Sequence, residues 1–332
     1  MFHRILQVLA DGQPHTVQEL TSKLAISPTK LDDFIKTLIT YGIKFSSLGA
    51  STYQLSENLE LLEYSCLWVQ LPEYTRQQIA HLEILDVVDS TNHYVLTPEK
   101  QRVPLICLAE YQTAGRGRQG RQWISPYASG LCLSIKQGYT RFNHSLGGLG
   151  IALAITVVRL LQAMGAQEIG LKWPNDILWR NRKLAGLLLE TRIRNHRYEI
   201  VVGIGINVKM PVVELKTIEQ PWVDLQTVLG QPISRNTLAA MLIEHCLQTL
   251  ASYSQDGLTT FISDWYHFDL LYGQLVILEN STFDGHSVTE KTKRKSVIVT
   301  GKACGIDEQG ALLLQIGDCK QRYFYGEARI QV

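Results

Sequence analysis

The chain has 332 residues, of which 45% are hydrophobic and 19% are charged, and its formal net charge is +1. This length indicates two or three domains, and the composition is that of a soluble globular protein. The near-neutral charge gives no general reason to expect a membrane or nucleic-acid partner. The N-terminal segment turns polar after ten residues, too early for a secretion signal or a membrane span, which predicts a cytoplasmic protein.

Residues 1–62 are predicted to form a small helical domain. Thr16 and Glu19 have the spacing of a capping box ahead of a second helix, and Ser27–Pro28 open a third. The short connection between these helices is typical of a helix-turn-helix, and residues 43–55 alternate weakly, as a small β-wing would. The domain resembles the winged helix-turn-helix of bacterial repressors.

The charge of this domain does not favour DNA binding. Residues 1–60 carry five basic and six acidic side chains, a net of −1, whereas a domain that neutralises phosphates is normally basic. Asp32 and Asp33 fall on the predicted third helix, where bases would be read. Operator binding and an architectural or protein-contact role both stay open.

A second domain is predicted after a leucine-rich helical connector, residues 57–82, that is interrupted at Pro72. It begins with a short strand near Leu85, and Ser90, Thr91 and Asn92 are then placed to cap a helix. The same helix start could also receive a polar ligand group.

The stretch from Tyr111 to Trp123, YQTAGRGRQGRQW, interleaves three glycines with three arginines. Glycine lets the backbone adopt positive φ, and guanidinium groups match carboxylates or phosphates. Residues 111–167 contain six basic and no acidic side chains. The pattern predicts an anion-binding loop between strands formed by residues 103–109 and 124–135. A solvated surface loop and a nucleic-acid-binding arginine–glycine segment are the alternatives.

A buried helix and three strands are predicted next. Residues 146–164 are apolar on nearly every side and stop at Gly165, as expected of a helix packed on a sheet. Turn signals at Arg180-Asn181 and Asn195-His196 separate three strand-like runs, which predicts an antiparallel meander of residues 171–178, 184–191 and 198–208.

Ionic side chains mark these strands. The sequence KWPND displays Lys172, Asn175 and Asp176 on a segment that its proline makes irregular. Lys183 opens an apolar run, as either a snorkelling edge residue or a ligand contact. The two glycines of GIGIN permit close approach of a ligand or another backbone. Together with the arginine loop, these groups suit the positioning of a phosphate chain, with one carboxylate helping to hold Mg²⁺.

The remaining sequence is predicted to be scaffold. Asn236 is expected to cap a helix, and a further helix runs through Phe261 to Phe268. From Gln274 the pattern changes to short strands, with turns at Asp284-Gly285, Asp307 and Gly317-Asp318, which indicates a small β-barrel. A basic cluster is interpreted as a solvated hairpin, with a grip on ATP or an acceptor protein as the alternative: Lys291, Lys293, Arg294 and Lys295. The six scattered cysteines are interpreted as buried or unreactive thiols: Cys66, Cys107, Cys132, Cys246, Cys304 and Cys319.

The motifs GRGRQGRQW, KWPNDIL, RKLAGLLLE and GIGINV, in this order, resemble the biotin protein ligases. With a helix-turn-helix in front, the chain is most similar to the family's bifunctional biotin operon repressors and biotin–[acetyl-CoA-carboxylase] ligases, over nearly its whole length. The resemblance implies an α+β fold with an N-terminal winged helix-turn-helix (1–62), a central mixed-sheet ligase domain with helices on one face (63–270) and a small C-terminal SH3-like β-barrel (271–332).

The resemblance also implies an activity. Biotin and MgATP would give biotinyl-5′-adenylate and pyrophosphate, and a lysine of the biotin carboxyl carrier protein would then take up the biotinyl group. A homodimer bound to adenylate would repress biotin synthesis genes at an operator in DNA. A biotin-sensing repressor without ligase activity and a lipoate-type ligase are the alternatives; the complete motifs argue against the first, and RGRQGR favours biotin over lipoate.

Site residues are implied by matching the family's motifs. The catalytic set would be Lys183, Arg118, Lys172 and Asp176, with Asp176 as a Mg²⁺ ligand. The biotin and adenylate would be bound by Ser90, Thr91, Asn92, Gln112, Gly115, Arg116, Gly117, Arg118, Trp123, Lys183, Gly186, Asn207 and Trp222. The loop departs from the family at Gln119, where close relatives often carry another arginine, so retention of the intermediate is open.

Overall fold

The computed structural model describes residues 1–46, 51–97, 99–100, 102–194, 197–211, 220–282 and 295–331. In these residues the strands form a two-stranded, a seven-stranded and a five-stranded sheet. The seven-stranded sheet is the largest of the three, and a cavity lies on one of its faces.

The N-terminal unit contains three short helices and one strand pair: α1 (Phe2–Leu9), β1 (His15–Thr16), α2 (Val17–Leu24), α3 (Pro28–Thr40) and β2 (Thr52–Tyr53). The Thr16 hydroxyl accepts from the Glu19 amide at 3.2 Å, and the Glu19 carboxylate accepts from the Thr16 amide at 2.8 Å, which confirms the capping box. Ser27 caps α3 through the Lys30 amide, as its sequence predicts. Residues 47–50 of the predicted wing lie outside the described residues.

The core of this unit is completed from elsewhere in the chain. Apolar residues of α1, α2 and α3 pack together with Tyr127 and Ala128, which follow the arginine loop. The connector forms α4 (Tyr64–Gln70) and α5 (Glu73–Gln78), and Pro72 stands at the N-cap of α5, where its sequence predicts the interruption.

The central region runs from β3 to α10. Its elements are β3 (His81–Val88), α6 (Thr91–Leu96), β4 (Leu105–Gln112), a 3-10 turn (Arg118–Gly120), β5 (Gly130–Tyr139), α7 (Leu146–Ala163), β6 (Ile169–Lys172), β7 (Asp176–Trp179), β8 (Arg182–Arg194), β9 (Arg197–Asn207), α8 (Leu225–Leu229), α9 (Arg235–Asp256) and α10 (Ile262–Phe268). The strand order is β3-β4-β5-β9-β8-β7-β6, with β3 and β4 parallel and the other pairs antiparallel.

Two strand predictions need correction. The run 171–178 is a hairpin of β6 and β7, since Trp173, Pro174 and Asn175 leave the ladder between the partners Lys172 and Asp176. The second strand beside the arginine loop begins at Gly130 rather than at residue 124, because residues 124–129 turn toward the N-terminal unit. Arg180 and Asn181 form the predicted tight turn with φ of 46° and 63°, whereas residues 195 and 196 lie outside the described residues.

Helices cover both faces of the central sheet, so the prediction of helices on one face is wrong. α7 and α9 pack on the face formed by Ile106, Leu108 and their neighbours. The short helix α6 packs on the other face, against Leu105, Cys107 and Val201. Adjacent residues of β4 therefore bury their side chains in different cores, as the two-residue period of a strand requires.

The helix α7 is a core helix. Among the described residues it is the one helix long and apolar enough to cross a membrane, but 67% of its span is buried inside the protein. It stops before Gly165, whose φ is +105°, as its sequence predicts. The cap prediction for α9 is wrong, because Ser234 caps it and Asn236 lies inside the first turn. The Asn236 amide instead donates to Glu60 and to the Leu61 carbonyl, so it ties α9 to the connector.

The C-terminal strands form an antiparallel sheet in the order β13-β12-β11-β10-β14: β10 (Leu275–Thr282), β11 (Lys295–Ile306), β12 (Leu312–Ile316), β13 (Cys319–Tyr323) and β14 (Glu327–Ile330). Asp307 and Gly317-Asp318 occupy turns, as predicted. The turn at 284–285 and the cluster residues 291, 293 and 294 lie outside the described residues. The Trp173 indole N–H donates to the Gly310 carbonyl at 3.0 Å, which joins this sheet to the central one.

Candidate active site

A cavity of about 640 Å³ lies on the α6 face of the central sheet. Its walls come from α6, the ends of β4 and β9, the arginine loop, the β6–β7 hairpin and β14. It is lined by every predicted site residue except Gly115: Ser90, Thr91, Asn92, Gln112, Arg116, Gly117, Arg118, Trp123, Lys172, Asp176, Lys183, Gly186, Asn207 and Trp222. Gly115 stands behind the wall, where its carbonyl accepts from the Trp123 amide at 2.9 Å. Residues scattered over more than 130 positions thus meet in one space.

One part of the wall carries neutral polar side chains that are hydrogen-bonded to one another and, behind the wall, to the Glu190 carboxylate. The Ser134 hydroxyl donates to Asn92 Oδ1 at 2.6 Å and is 2.7 Å from Thr91 Oγ1. The Thr91 amide donates to Gln112 Oε1 at 2.8 Å, and Asn92 Nδ2 donates to Glu190 at 2.8 Å. Because each side chain is fixed by a neighbour, the network presents donors and acceptors in set directions.

Ser90 stands at the N-cap of α6, but its side chain makes no capping hydrogen bond. The residue is buried and lines the cavity. The structure therefore shows no side-chain cap at Ser90, and a contact between Ser90 and a ligand stays a prediction.

The arginine loop is held by other segments. The Arg116 guanidinium donates to Glu190 at 2.9 Å, and the Arg118 guanidinium donates to Asn175 at 3.2 Å. Arg121 forms an ion pair with Glu327 of β14. The carboxylates missing from residues 111–167 are thus supplied by distant strands.

Two loop expectations differ from the structure. Positive φ occurs at Gln119 (55°) and Gly120 (78°), whereas Gly117 has an ordinary φ of −107°. The local positive charge is also smaller than the residue count suggests. Lys136 is buried and donates to the Lys100 carbonyl, and Arg159 forms an ion pair with Asp264, away from the cavity.

The adjacent strands β6, β7 and β8 place Lys172 and Lys183 near the carboxylate of Asp176. Lys172 and Asp176 are partners across the hairpin, and Lys183 Nζ lies 2.7 Å from Asp176 Oδ1. Burial lowers the pKa of Lys172, and the carboxylates of Asp176 and Glu327 oppose that shift. Burial likewise lowers the pKa of Arg118. An anion entering the cavity would favour the charged forms of both groups.

Trp123 covers the end of β9. A Cβ at Gly205 would lie 2.4 Å from the Trp123 indole, and the Lys183 ammonium lies 5.8 Å from the centre of its ring. Its indole N–H is buried without a hydrogen-bond partner. Trp123 thus forms an aromatic wall with one unused donor.

Asn207 and Trp222 have structural ties in this wall. The Asn207 amide donates to the carbonyls of Val223 at 3.1 Å and Lys183 at 3.3 Å, and Trp222 pairs with Lys183 through a backbone bridge. Asn207 therefore holds the segment that carries Lys183 as well as facing the cavity.

Several lining residues are absent from the sequence-based set, among them Asn175, Cys132, Gly203, Glu327, Ala328 and Arg329. Asn175 could have been found, since it lies within KWPND. Cys132 is buried, as expected of the cysteines, and burial raises its pKa to about 11, yet it also lines the cavity. The β14 residues carry no motif, because they reach the cavity only through the packing of two sheets.

The donor set allows a metal ion only with help from a ligand. In the part of the chain that the structure describes, no three His, Cys, Asp or Glu side chains are grouped for a metal. Asp176 is a single carboxylate already paired with Lys183. Mg²⁺ often binds through one or two carboxylates, water and substrate phosphates, so Asp176 fits this ion when a nucleotide supplies the other oxygens.

Two protein-family models and several relatives match the chain. The model of the biotin/lipoate A/B protein ligase family matches residues 84–207, and the model of the biotin protein ligase C-terminal domain matches residues 288–326. The chain is 32% identical over 333 residues to the bifunctional ligase/repressor BirA of Escherichia coli, spanning 99% of this chain and 96% of that protein. It is 29% identical to the biotin–[acetyl-CoA-carboxylase] ligase of Mycobacterium tuberculosis, spanning 71% of this chain and 84% of the relative.

The fold is similar to the solved structure of biotin protein ligase from Aquifex aeolicus in complex with biotin and ATP. The TM-score is 0.61 at 24% sequence identity, and the match covers 76% of this chain and 99% of that chain. This likeness concerns the fold alone.

Proposed function

The chain belongs to the biotin protein ligase family, and on that basis we propose that it activates biotin with ATP and transfers the biotinyl group to a lysine of a biotin carboxyl carrier protein. The observation that carries the proposal is the cavity. It places a neutral hydrogen-bonding network and a cluster of partly buried cations on the walls of one space. A ligand with an uncharged polar ring at one end and a carboxylate at the other fits this cavity. Its ring would bind at the hydrogen-bonding network, and its carboxylate would lie near the cations.

In the first step, a biotin carboxylate oxygen attacks the α-phosphorus of ATP, the bond from that phosphorus to the pyrophosphate oxygen breaks, and pyrophosphate leaves. Thr91, Asn92 and Gln112 would orient the ring of biotin through their fixed hydrogen-bonding groups. Lys183 and Arg118 would bring the two anions together and stabilise the charge that develops between them.

In the second step, the unprotonated amine of the acceptor lysine attacks the acyl carbon, an amide bond forms, AMP leaves and the amine proton passes to solvent. The residues around the cavity act mainly by excluding water from the mixed anhydride until the acceptor arrives. Trp123 and Arg118 would supply this cover.

Asp176 would hold Mg²⁺ together with the nucleotide phosphates. The ion would supply neutralising charge on the phosphate oxygens. Lys183 would then turn from its pair with Asp176 toward the carboxylate of biotin.

The fold of the two outer regions supports further parts of the proposal. The three helices and strand pair of residues 1–62 fit a winged helix-turn-helix, and the five-stranded sheet of residues 271–332 fits an SH3-like barrel, around a ligase domain of residues 63–270. An adenylate-bound homodimer would then place two such N-terminal domains on operator DNA as a repressor of biotin synthesis. A cytoplasmic location fits both roles.

The test is incubation of the purified chain with MgATP, labelled biotin and an apo carrier domain, beside a parallel reaction with labelled lipoate. Biotin label on the carrier lysine, with release of pyrophosphate and AMP, is the expected result. Label from lipoate alone would establish the lipoate-type ligase. Biotin binding without pyrophosphate release would exclude the ligase activity and favour the alternative of a biotin-sensing repressor.

A further inference from the structure

The glycine–arginine loop contacts the C-terminal sheet through Arg121. Arg121 at the end of the loop forms an ion pair with Glu327, the first residue of β14. The Glu327 side chain is only 17% exposed, and it lines the same cavity as Arg118 and Lys172. The contact therefore joins the cover of the cavity to a separate sheet.

Glu327 stands among cations. Its carboxylate supports the charged forms of Arg118 and Lys172, whose pKa values are lowered by burial, and Arg329 lies 3.9 Å from it. Among the described residues, Glu327 is the ion-pair partner of Arg121. Without this carboxylate, the positive charges of Arg118 and Arg121 would repel each other with no negative charge between them. The loop would then lose its hold on β14.

The start of β14 is itself rigidly placed. Ala328 is fully buried and pairs with Leu278 of β10, and a Cβ at Gly326 would lie 2.9 Å from the Glu279 carbonyl. The carboxylate at the beginning of this strand is therefore fixed in place. The loop between residues 115 and 121 is otherwise held by the side-chain contacts of Arg116 with Glu190 and of Arg118 with Asn175.

We infer that Glu327 is a positioning residue that acts through Arg121: the pair fastens the anion-binding loop to the C-terminal sheet and so keeps Arg118 over the cavity. The inference extends the proposed function and rests on it, because an effect on the release of the adenylate requires that the chain form the adenylate. It gives the C-terminal sheet a part in retaining the reaction intermediate, because release of the loop would open the cavity.

The first experiment needs no ligand. Trypsin cleaves after arginine in mobile segments, so the rate of nicking at Arg116 and Arg118, followed by mass spectrometry, reports the opening of the loop. We expect Glu327→Gln and Arg121→Gln each to raise this rate about 5-fold, as loss of a partly exposed ion pair would. The matched control is Glu168→Gln, which removes a carboxylate from an exposed ion pair with Arg180, away from the loop and from β14, and should leave nicking unchanged.

The second experiment measures dissociation of the adenylate formed from biotin and MgATP, with the tryptophans of the cavity as the fluorescent probe. Glu327→Gln and Arg121→Gln should each speed dissociation about 5-fold, and the double variant should be no faster than either. The charge swap Arg121→Glu with Glu327→Arg should restore slow nicking and slow dissociation toward wild type.

Additive effects of the two substitutions, or failure of the swap to restore slow nicking, would overturn the inference. A fast Glu327→Gln beside an unchanged Arg121→Gln would also do so, since it would mean that Glu327 contacts the ligand directly. Failure of the proposed function looks different, because the wild-type chain itself would then release no pyrophosphate.

Discussion

At the scale of single residues, the cavity combines groups that are each imperfectly satisfied without a ligand. Arg118 and Lys172 are charged groups in places where burial lowers their pKa, and the Trp123 indole N–H is buried with no acceptor. Such features are costly in a folded protein and are concentrated where a ligand completes them.

Lys183 provides the first prediction. Lys183→Ala should slow adenylate formation by about 10²-fold or more, since it removes a charge aligned with the one that develops in the reaction. Pyrophosphate release under single-turnover conditions measures this. The matched control is Arg182→Ala, because the Arg182 guanidinium lies over the Trp179 ring at 4.6 Å, outside the cavity. An unchanged rate for Lys183→Ala, in a protein with wild-type circular dichroism, would show that Lys183 is only a surface residue.

Arg118 provides the second prediction. Arg118→Gly should speed escape of the adenylate by about 10-fold and slow its formation less, because it removes a charge-assisted contact and loosens the loop. Stopped-flow dissociation of the adenylate measures this. In the control Gln119→Gly, the left-handed φ of 55° is relieved beside an intact Arg118. Dissociation of Arg118→Gly no faster than wild type, or equal effects of both variants, would contradict the role of the charge.

At the scale of secondary-structure elements, the glycines of β9 explain how a helix and an aromatic side chain both approach one strand. Gly203 faces Asn92 of α6, and Gly205 faces Trp123; a Cβ at either would lie within 2.4 Å of the neighbouring side chain. The motif GIGIN thus acts by admitting protein side chains, which then line the cavity.

Gly205 provides the third prediction. Gly205→Ala should displace Trp123, weaken biotin binding about 10-fold and lower the free energy of unfolding by about 1–3 kcal/mol, as overpacking does. Calorimetric titration with biotin and urea unfolding measure the two effects. The control Gly150→Ala places its Cβ in ordinary contact, 3.7 Å from Leu189, within α7. Wild-type biotin affinity in Gly205→Ala would mean that Trp123 does not form the ligand wall.

The helix α3 provides the fourth prediction. Lys36 is already neutralised by Asp32 at 2.7 Å, and Asp33 is exposed beside it, so α3 offers phosphates little charge. Specific binding to the promoter of the protein's own biotin genes should therefore appear only with biotin and ATP present and at low salt, with a shallow salt dependence. Asp32→Asn with Asp33→Asn should tighten binding and steepen the salt dependence. Glu168→Gln with Glu308→Gln is the charge-matched control away from α3.

A salt titration of affinity with and without the adenylate decides the outcome. Tight binding by the unliganded wild-type protein at physiological salt would refute the charge argument. If adenylate-dependent binding is absent at every salt concentration, the N-terminal unit is not a repressor domain and the chain is a ligase alone.

At the scale of the whole molecule, Arg235 joins three parts of the chain. Its guanidinium donates to Glu110 of β4 at 2.7 Å, to the Gly130 carbonyl of β5 at 2.9 Å and to the Glu60 carbonyl of the connector at 2.8 Å. The Arg235 and Glu110 side chains are 4% and 0% exposed. Glu110 also accepts from the Leu62 amide, so this pair fixes the connector on the central sheet.

This pair provides the fifth prediction. Arg235→Met should lower the free energy of unfolding by about 3–5 kcal/mol, because it leaves the Glu110 charge buried and unpaired. Adding Glu110→Gln should recover part of that loss. Urea unfolding measures both. The control Arg180→Ala breaks an exposed pair with Glu168 and should leave the unfolding free energy nearly unchanged. A small effect of Arg235→Met would mean that water reaches Glu110.

The sequence by itself determined the local features of this protein. The capping box at Thr16, the tight turn at Arg180-Asn181, the irregular backbone at KWPND and the buried helix α7 depend on residues a few positions apart, whose contacts follow from backbone geometry. The motifs also led to 14 of the residues that line the cavity.

Only the tertiary structure decided how these features meet. The placement of α6 on the second face of the sheet, the cover of β9 by Trp123 and the buried pair of Glu110 with Arg235 depend on packing between distant segments. Arg121 and Glu327 are 206 positions apart, and no local preference encodes their contact. Such contacts form only when distant segments of the chain are packed together, because their energy comes from burial and charge pairing rather than from backbone preference.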